Sequence, residues 1–445
     1  MRFPLRSPRI GTGVYIRPVR LTVTLDNLYK RFAAILAVTG IGLGLGWTVV
    51  SNFIVRGVED RRWSYPREWL IADVERFPNS ARVNFRLANV EIADVAHHGM
   101  FDAQAESHAE QAVNLSPWDY QARSLLATAQ ELNGKQEEAE NSLRAAVKLA
   151  PNHAKLNWAF ANLLVRREKL SESFGPFRIA VRSNADLLPP AIDTIWRSSD
   201  GSLDALKSFA GDDAETTLAV AKFLTGQNLF AEAGAVFNSI DKQAKAHSPQ
   251  SPELIVALMR AGQFDLARAT WVELMTTIRP DAQAPGALIW DGGFEMDAVE
   301  GLNQFDWAIH PDKFARIAID RGVARTGRRS LKVVFSGLDT TTLKDQVQQT
   351  MVLKPGASYY LECYAKAKAL ITPEGPRVAI IGQSGLIAAS SPASADSSDW
   401  QRLTVSFVAP ANRAVTLAVV RTPRFSYDDP TSGTIWFDDF TLVER

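Results

Sequence analysis

The sequence predicts a multidomain chain in three parts: a single transmembrane helix, an all-α solenoid of helical repeats and an all-β jelly-roll sandwich. Three observations lead there. Phe32–Val55 is a long apolar run without a charged residue. Residues 60–280 read as amphipathic helices whose pattern recurs every 34 residues. Beyond Pro280 the apolar period changes from about 3.6 to about 2, the change from helix to strand. A chain of 445 residues has room for this division, since a domain takes about 100–200 residues.

Composition narrows the function. Lys and Arg total 49, as do Asp and Glu, so the net charge is zero. A nucleic-acid binder normally carries a basic excess, so none is expected as a partner. Cys363 is the one cysteine, which excludes an intrachain disulfide and any multi-cysteine metal site. The six histidines are scattered. No phosphate-cradling glycine loop, HExxH or GxSxG motif is present. Cys363 sits between Glu362 and Tyr364 with no nearby histidine, which reads as a structural thiol. Asp428 and Asp429 are adjacent and would point to opposite faces of an extended segment, wrong for a paired acid and base. The chain is therefore expected not to be an enzyme.

Charge is uneven along the chain. Residues 1–31 carry +6, from Arg2, Arg6, Arg9, Arg17, Arg20, Lys30 and Arg31 against Asp26. The uncharged run 32–55 follows directly, and about 20 helical residues cross a hydrocarbon core. Trp47 and the Lys30-Arg31 pair suit interfacial anchoring. A cleaved signal peptide is the competing reading, but its apolar core is about 7–15 residues and ends at a small-residue site. Here Arg56-Gly57-Val58-Glu59-Asp60 follows. The positive-inside rule then puts the N-terminus in the cytoplasm of a bacterial inner (plasma) membrane and the bulk of the chain in the periplasm or outside the cell. Gly40, Gly42, Gly44 and Gly46 give GxxxG spacings, so a homodimer through Gly40 and Gly44 is one expectation; the other is that glycine is common in membrane helices.

The repeats occupy residues 60–280. Pro117 precedes Pro151 by 34 residues, with YQARSLLATAQELNGKQEEAENSLRAAVKLAP between. Leu126, Ala127, Ala139, Leu143, Ala146 and Pro151 follow a large, small, small, large, small, Pro order. One repeat earlier stand Ile92, Ala93, Ala105, Ala109 and Ala112, with an insertion near His97-His98-Gly99. One repeat later stand Phe160, Ala161, Phe177 and Ala180, with Ser173 in the alanine position. Ala233 and Phe237 recur as Ala267 and Trp271. This order resembles tetratricopeptide repeats over residues 80–280. Independently, a helix pair cannot bury its apolar face alone, so several must stack. Gly134, Gly226 and Gly262 are expected in the turns within pairs. Leu187-Leu188-Pro189-Pro190 is expected to break a helix, giving a degenerate repeat or bend over 183–212. The resemblance implies a groove for a protein partner; the plainer reading is a region that only spaces or dimerises the outer domain. His97, His98 and His108 read as surface histidines rather than a metal cluster.

Residues 281–286 read as a linker, and 287–445 as a β-sandwich. Strands are expected over 330–335, 346–353, 359–366, 377–381, 401–408, 415–421 and 434–443, separated by Pro/Gly turns. Asp291-Gly292-Gly293-Phe294-Glu295, Trp307, the segment from Gly327 to Val333, Leu353-Lys354-Pro355-Gly356, Trp400, Phe407-Val408-Ala409-Pro410 and Trp436-Phe437-Asp438-Asp439-Phe440 follow in order. Together they resemble the galactose-binding-like jelly rolls that serve as carbohydrate-binding modules. Sugar binding needs aromatic faces and polar groups. The ligand candidates are Phe305, Tyr364, Phe425 and Tyr427 with Arg377, Gln383 and Asp428. Trp307, Trp400 and Trp436 read as core, and Tyr364 has a core reading too. The resemblance also implies a structural calcium ion, with Glu295 and Asp439 at the matching positions; hydrogen-bonded carboxylates are the alternative.

The combined expectation is a membrane-anchored adaptor. Its repeats hold a protein partner and its sandwich contacts envelope or exported polysaccharide. The alternative is an assembly scaffold whose β-domain is structural or binds protein.

Overall fold

The computed structural model describes residues 29, 35–36, 38–43, 45–46, 67–98, 104–281, 287–340, 342–395, 399–423 and 430–445, the side chains of 95–98 and 338–340 excepted. These form a helical repeat region followed by a β-sandwich. The chain divides into two compact units, Met1–Pro151 and Asn152–Arg445, so the division falls inside the repeats. The predicted linker lies, apart from Asp281, outside the described residues.

Among the described residues no helix is long and apolar enough to cross a membrane. Most of the predicted span 32–55 lies outside them, as does the basic segment apart from Tyr29. Within the span, the described residues between Ile35 and Gly46 are helical and exposed. Gly40 is among them, with nothing within 4 Å of a Cβ placed there, while Gly44 lies outside the described residues.

The first unit holds α1 (Arg67–Arg76), α2 (Ala81–His98), α3 (Gln104–Leu115), α4 (Tyr120–Leu132) and α5 (Gln136–Leu149). Asp119 starts α4 by accepting from the Gln121 and Ala122 N–H groups. Ala88, Ala109, Ala112, Ala122 and Ala129 lie with Val113, Leu125 and Leu126 in one buried cluster. Small side chains let these helices approach closely, and Ala105, Ala127, Ala139 and Ala146 are buried as the pattern requires. Ala93 is exposed instead, while Leu87 and Ala88 are buried on α2. His108 Nδ1 lies 2.9 Å from the buried Glu91 carboxylate, so this histidine serves the packing of the unit.

The second unit continues with α6 (Ala154–Arg166), α7 (Leu170–Ser183), α8 (Leu188–Ser198), α9 (Leu203–Ala210), α10 (Ala214–Gly226), α11 (Phe230–Asn238), α12 (Lys242–His247), α13 (Gln250–Arg260) and α14 (Phe264–Ile278). One turn recurs within the pairs of both units. The N–H groups of Lys135, Lys169, Leu229 and Gln263 each donate to the carbonyl five residues back, at 2.9 Å. Such a cap needs a left-handed residue. Gly134, Glu168, Asn228 and Gly262 supply it, at φ of +74°, +58°, +62° and +73°. Gly226, expected in this place, is the last residue of α10, and Asn228 two positions on takes its role. Ser173 fits the alanine position because its hydroxyl donates to the Leu170 carbonyl at 2.6 Å and leaves nothing unpaired. The prolines 189 and 190 start α8 rather than break a helix: in the first turn their missing N–H groups cost no bond. The expected degenerate repeat is there as the short pair α8 and α9.

Among the described residues the sandwich has ten strands in two five-stranded antiparallel sheets. The first, in the order β1-β4-β9-β6-β7, holds β1 (Ala308–Ile309), β4 (Val347–Val352), β9 (Ala414–Val420), β6 (Arg377–Gly382) and β7 (Gly385–Ala389). The second, β2-β3-β10-β5-β8, holds β2 (Ala315–Asp320), β3 (Ser330–Thr340), β10 (Pro430–Glu444), β5 (Ser358–Ile371) and β8 (Gln401–Val408). Their inner faces share a core that includes Leu331, Val333, Leu361, Cys363, Val378, Ile380, Leu417, Ile435 and Phe437. Burial pushes the Cys363 thiol far up, so it stays protonated and inert.

Helices and sandwich meet through aromatic side chains. Trp271 of α14 packs edge-on against Trp290 at 4.9 Å and Phe305 at 5.9 Å. Its indole N–H donates to the Leu302 carbonyl at 3.0 Å. Gln349 of β4 grips the Trp290 backbone from the other side, accepting from its N–H at 2.9 Å and donating to its carbonyl at 2.8 Å. The Arg268 guanidinium lies 4.7 Å from the Trp271 ring centre, and burial lowers its pKa to about 10.

A candidate binding cleft on the first sheet

Strand alternation builds the site. Val378 and Ile380 of β6 enter the core, so Arg377, Ala379 and Ile381 point outward. Register sets Ala389 of β7 and Ala418 of β9 opposite Ala379. These short side chains leave a depression of about 620 Å³. Ala379, Ile381, Ala389 and Val420 floor it; Leu343, Leu386, Thr422 and Pro423 wall it; Lys344, Glu374 and Arg377 bring charge.

The charged end is held firmly. Arg377 pairs with Glu374, and its buried Nε has no hydrogen-bond partner among the described residues. Arg421, fully buried, donates from Nε to the Glu374 carbonyl at 3.1 Å and from Nη2 to Thr372 Oγ1 at 3.3 Å. It therefore fixes the loop that carries Glu374. Leu343 and Arg421 exchange backbone bonds of 3.0 and 2.9 Å, which closes one end. An apolar floor beside a fixed ion pair can cover the C–H face of a flat ligand and bond its polar edge.

Of the sequence-predicted ligands, Arg377 lines this cleft. Gln383 is exposed on the β6–β7 turn, where it accepts from Asn412 Nδ2 at 3.2 Å. Tyr364 lies on the outer face of the second sheet, so it does not meet Arg377. The Arg325 guanidinium sits 3.4 Å over the Tyr364 ring, and the hydroxyl donates to Glu362 at 2.7 Å. That ring face is taken. The Glu362 hydrogen bond, with burial, raises the phenol pKa. Phe305, expected to be a ligand residue, is instead fully buried against Trp271 and cannot stack on a sugar. Phe425, Tyr427 and Asp428 lie outside the described residues; Pro423, two positions before Phe425, lines the cleft.

Lys344, Glu374, Ala379, Ile381, Leu386, Ala389 and Val420 of the lining were not foreseen from the sequence. A signal was present. Val378–Ile381 and Leu386–Ala389 carry no polar residue at alternate positions. A strand apolar on both sides must have its second face covered or in use.

The calcium expectation fares differently. Glu295 Oε1 accepts from the Arg328 and Arg329 N–H groups at 2.7 and 2.9 Å. Asp439 Oδ2 takes the Arg325 guanidinium at 2.6 Å, and its Oδ1 takes the Thr326 hydroxyl. With Glu295 Oε1 and both Asp439 oxygens accepting from N–H and O–H donors, and a cation already against Asp439, the pair does not fit a calcium ion as it stands. Among the described residues no group of three or more His, Cys, Asp or Glu side chains is placed to hold a metal.

No protein-family model matches the sequence, and no curated protein is significantly similar to it. Solved structures do match. A CBM4 structure is 21% identical, with 35% of this chain and 99% of that chain covered and a TM-score of 0.26. The CBM22-1 xylan-binding domain of Xyn10C from Paenibacillus barcinonensis is 12% identical, with 34% and 91% covered and a TM-score of 0.22. YrrB, a tetratricopeptide-repeat protein with an unusual peptide-binding site, is 15% identical, with 48% and 95% covered and a TM-score of 0.22. Likeness at this level does not reach a ligand or a partner.

Proposed function

We propose that this chain is a membrane-anchored, non-catalytic adaptor whose helical repeats hold a protein partner and whose sandwich binds cell-envelope or exported polysaccharide. The observation that carries the sugar reading is the cleft on the first sheet, with its apolar floor and fixed Arg377–Glu374 pair. Pyranose rings offer an apolar C–H face and a rim of hydroxyls, which match such a floor and such a pair. Phe425, Tyr427 and Asp428 remain proposed ligand residues on the sequence alone.

A glycan array probed with the full chain tests this. The expected result is capture of a limited set of polysaccharides, with the signal reduced about tenfold or more in Arg377→Ala, the size of a lost charge-assisted hydrogen bond. Binding to no glycan at high protein concentration would favour the second reading, an assembly scaffold. The Trp271–Trp290–Phe305 packing supports that alternative, because it lets the sandwich act as an end cap for the repeats.

The anchor rests on the +6 segment and the uncharged run after it. A reporter active only outside the cytoplasm is expected to work when fused after Arg445 and to fail when fused before Phe32. The reverse would overturn the orientation, and a shortened soluble product would show a cleaved signal.

A further inference from the structure

Where the repeats lose their regular length, the helices leave a pocket. The second helices α5, α7 and α14 have 14, 14 and 15 residues, whereas α9 has 8 and α11 has 9. Helix α9 stops at Gly211, whose φ is +58°, and Asp213 starts the next helix by accepting from the Thr216 N–H at 2.9 Å. The last turns of α7 are left facing a gap of about 360 Å³, bounded by Arg178, Val181, Arg182, Phe209, Asp213 and Thr216.

The chemistry of this gap is specific. Phe209, fully buried and held edge-on by Phe174 at 6.2 Å and Phe177 at 6.5 Å, closes its base. Arg178 and Arg182 stand one turn apart, which puts both guanidinium groups on one face of α7. Among the described residues neither takes part in an ion pair or a hydrogen bond. Arg178 reaches the turn at Gly211, where an added Cβ would meet its Nη1 at an ordinary contact distance of 3.4 Å. The one acid in the lining, Asp213, spends the same carboxylate oxygen on the Thr216 N–H and hydroxyl as a helix cap. Two uncommitted cationic forks over an apolar base suit a carboxylate joined to an apolar group.

We propose that this pocket receives an acidic peptide segment, with a carboxylate between Arg178 and Arg182 and a neighbouring apolar side chain against the half-buried Val181. The proposal deepens the reading that the repeats hold a protein partner and rests on it.

The test is selection from a random peptide library on the purified full chain. Wild type, Arg178→Ala/Arg182→Ala and Arg178→Lys/Arg182→Lys are run side by side, with glycan binding and the unfolding midpoint followed for each. The wild type is expected to enrich Asp or Glu next to Leu, Ile or Phe. The enrichment should fall on the order of tenfold or more in the alanine variant and survive in part in the lysine variant, with glycan binding and midpoint unmoved. Recovery of peptides without an acidic preference, or an enrichment unchanged by the alanine substitutions, overturns the pocket and leaves the partner reading standing. Recovery of no peptide by the wild type overturns both.

Discussion

Trp271→Ala is expected to lower the unfolding free energy of the second unit by about 3–5 kcal/mol, the range for removing a large buried aromatic. Trp271 is fully buried and touches both Trp290 and Phe305, so the cavity would have little means of closing. The Leu302 carbonyl would also lose its indole donor. The loss should not stay in the helices. Trp290 is clasped by Gln349 of β4, so loosening one side of it loosens the other. Denaturant titration followed by helical circular dichroism and by a probe in the sandwich should give coincident midpoints, both lowered. A shifted helical midpoint with an unmoved sandwich midpoint would show that the shared aromatic packing does not couple them.

The second large effect is expected from Gly292→Ala. A Cβ on Gly292 would lie 2.0 Å from the carbonyl oxygen of Phe440, far inside contact distance. The same two residues are joined by a backbone bond of 2.9 Å from the Phe440 N–H to the Gly292 carbonyl. Backbone meets backbone here, so no side-chain rotation can relieve the clash. Phe440 also packs with Phe294 at 5.8 Å and Trp307 at 5.0 Å. Displacing it disturbs the core, and such overpacking costs about 1–3 kcal/mol or more. Gly293→Ala is the control, since a Cβ there meets its nearest atom at an ordinary 3.7 Å. Equal stability of the two variants in thermal unfolding would refute the steric argument.

These two residues show what the sequence made legible. Gly292 belongs to a local motif, Asp291-Gly292-Gly293-Phe294-Glu295, so its special role could be suspected from its neighbours. Most long strands were readable in the same way, because alternation is a local signal: β5 and β8 fall within two residues of expectation at their starts, and β8 matches at both ends. The strands β1, β2 and β7 were not foreseen. The first has two residues, and β7 follows β6 through a tight turn at Gln383-Ser384. The repeats were readable because small and large positions recur at a fixed interval. Phe305 was misread for the opposite reason. Nothing next to it in sequence reveals that Trp271, 34 positions earlier, will cover it. The cleft was unreadable as a whole, since its floor joins β6, β7 and β9 through cross-strand register that no local pattern encodes.

The aromatic junction between α14 and the sandwich also has a mechanical consequence. A sandwich hung on a flexible tether swings and gives under tension until the tether is taut. Here the Trp290 ring packs on the Trp271 indole while its backbone is held by the Gln349 amide. A pull on anything held in the cleft would travel along β6 and β9 to β4 and reach α14 through close-packed rings. Such a junction is expected to pass a load on without slack.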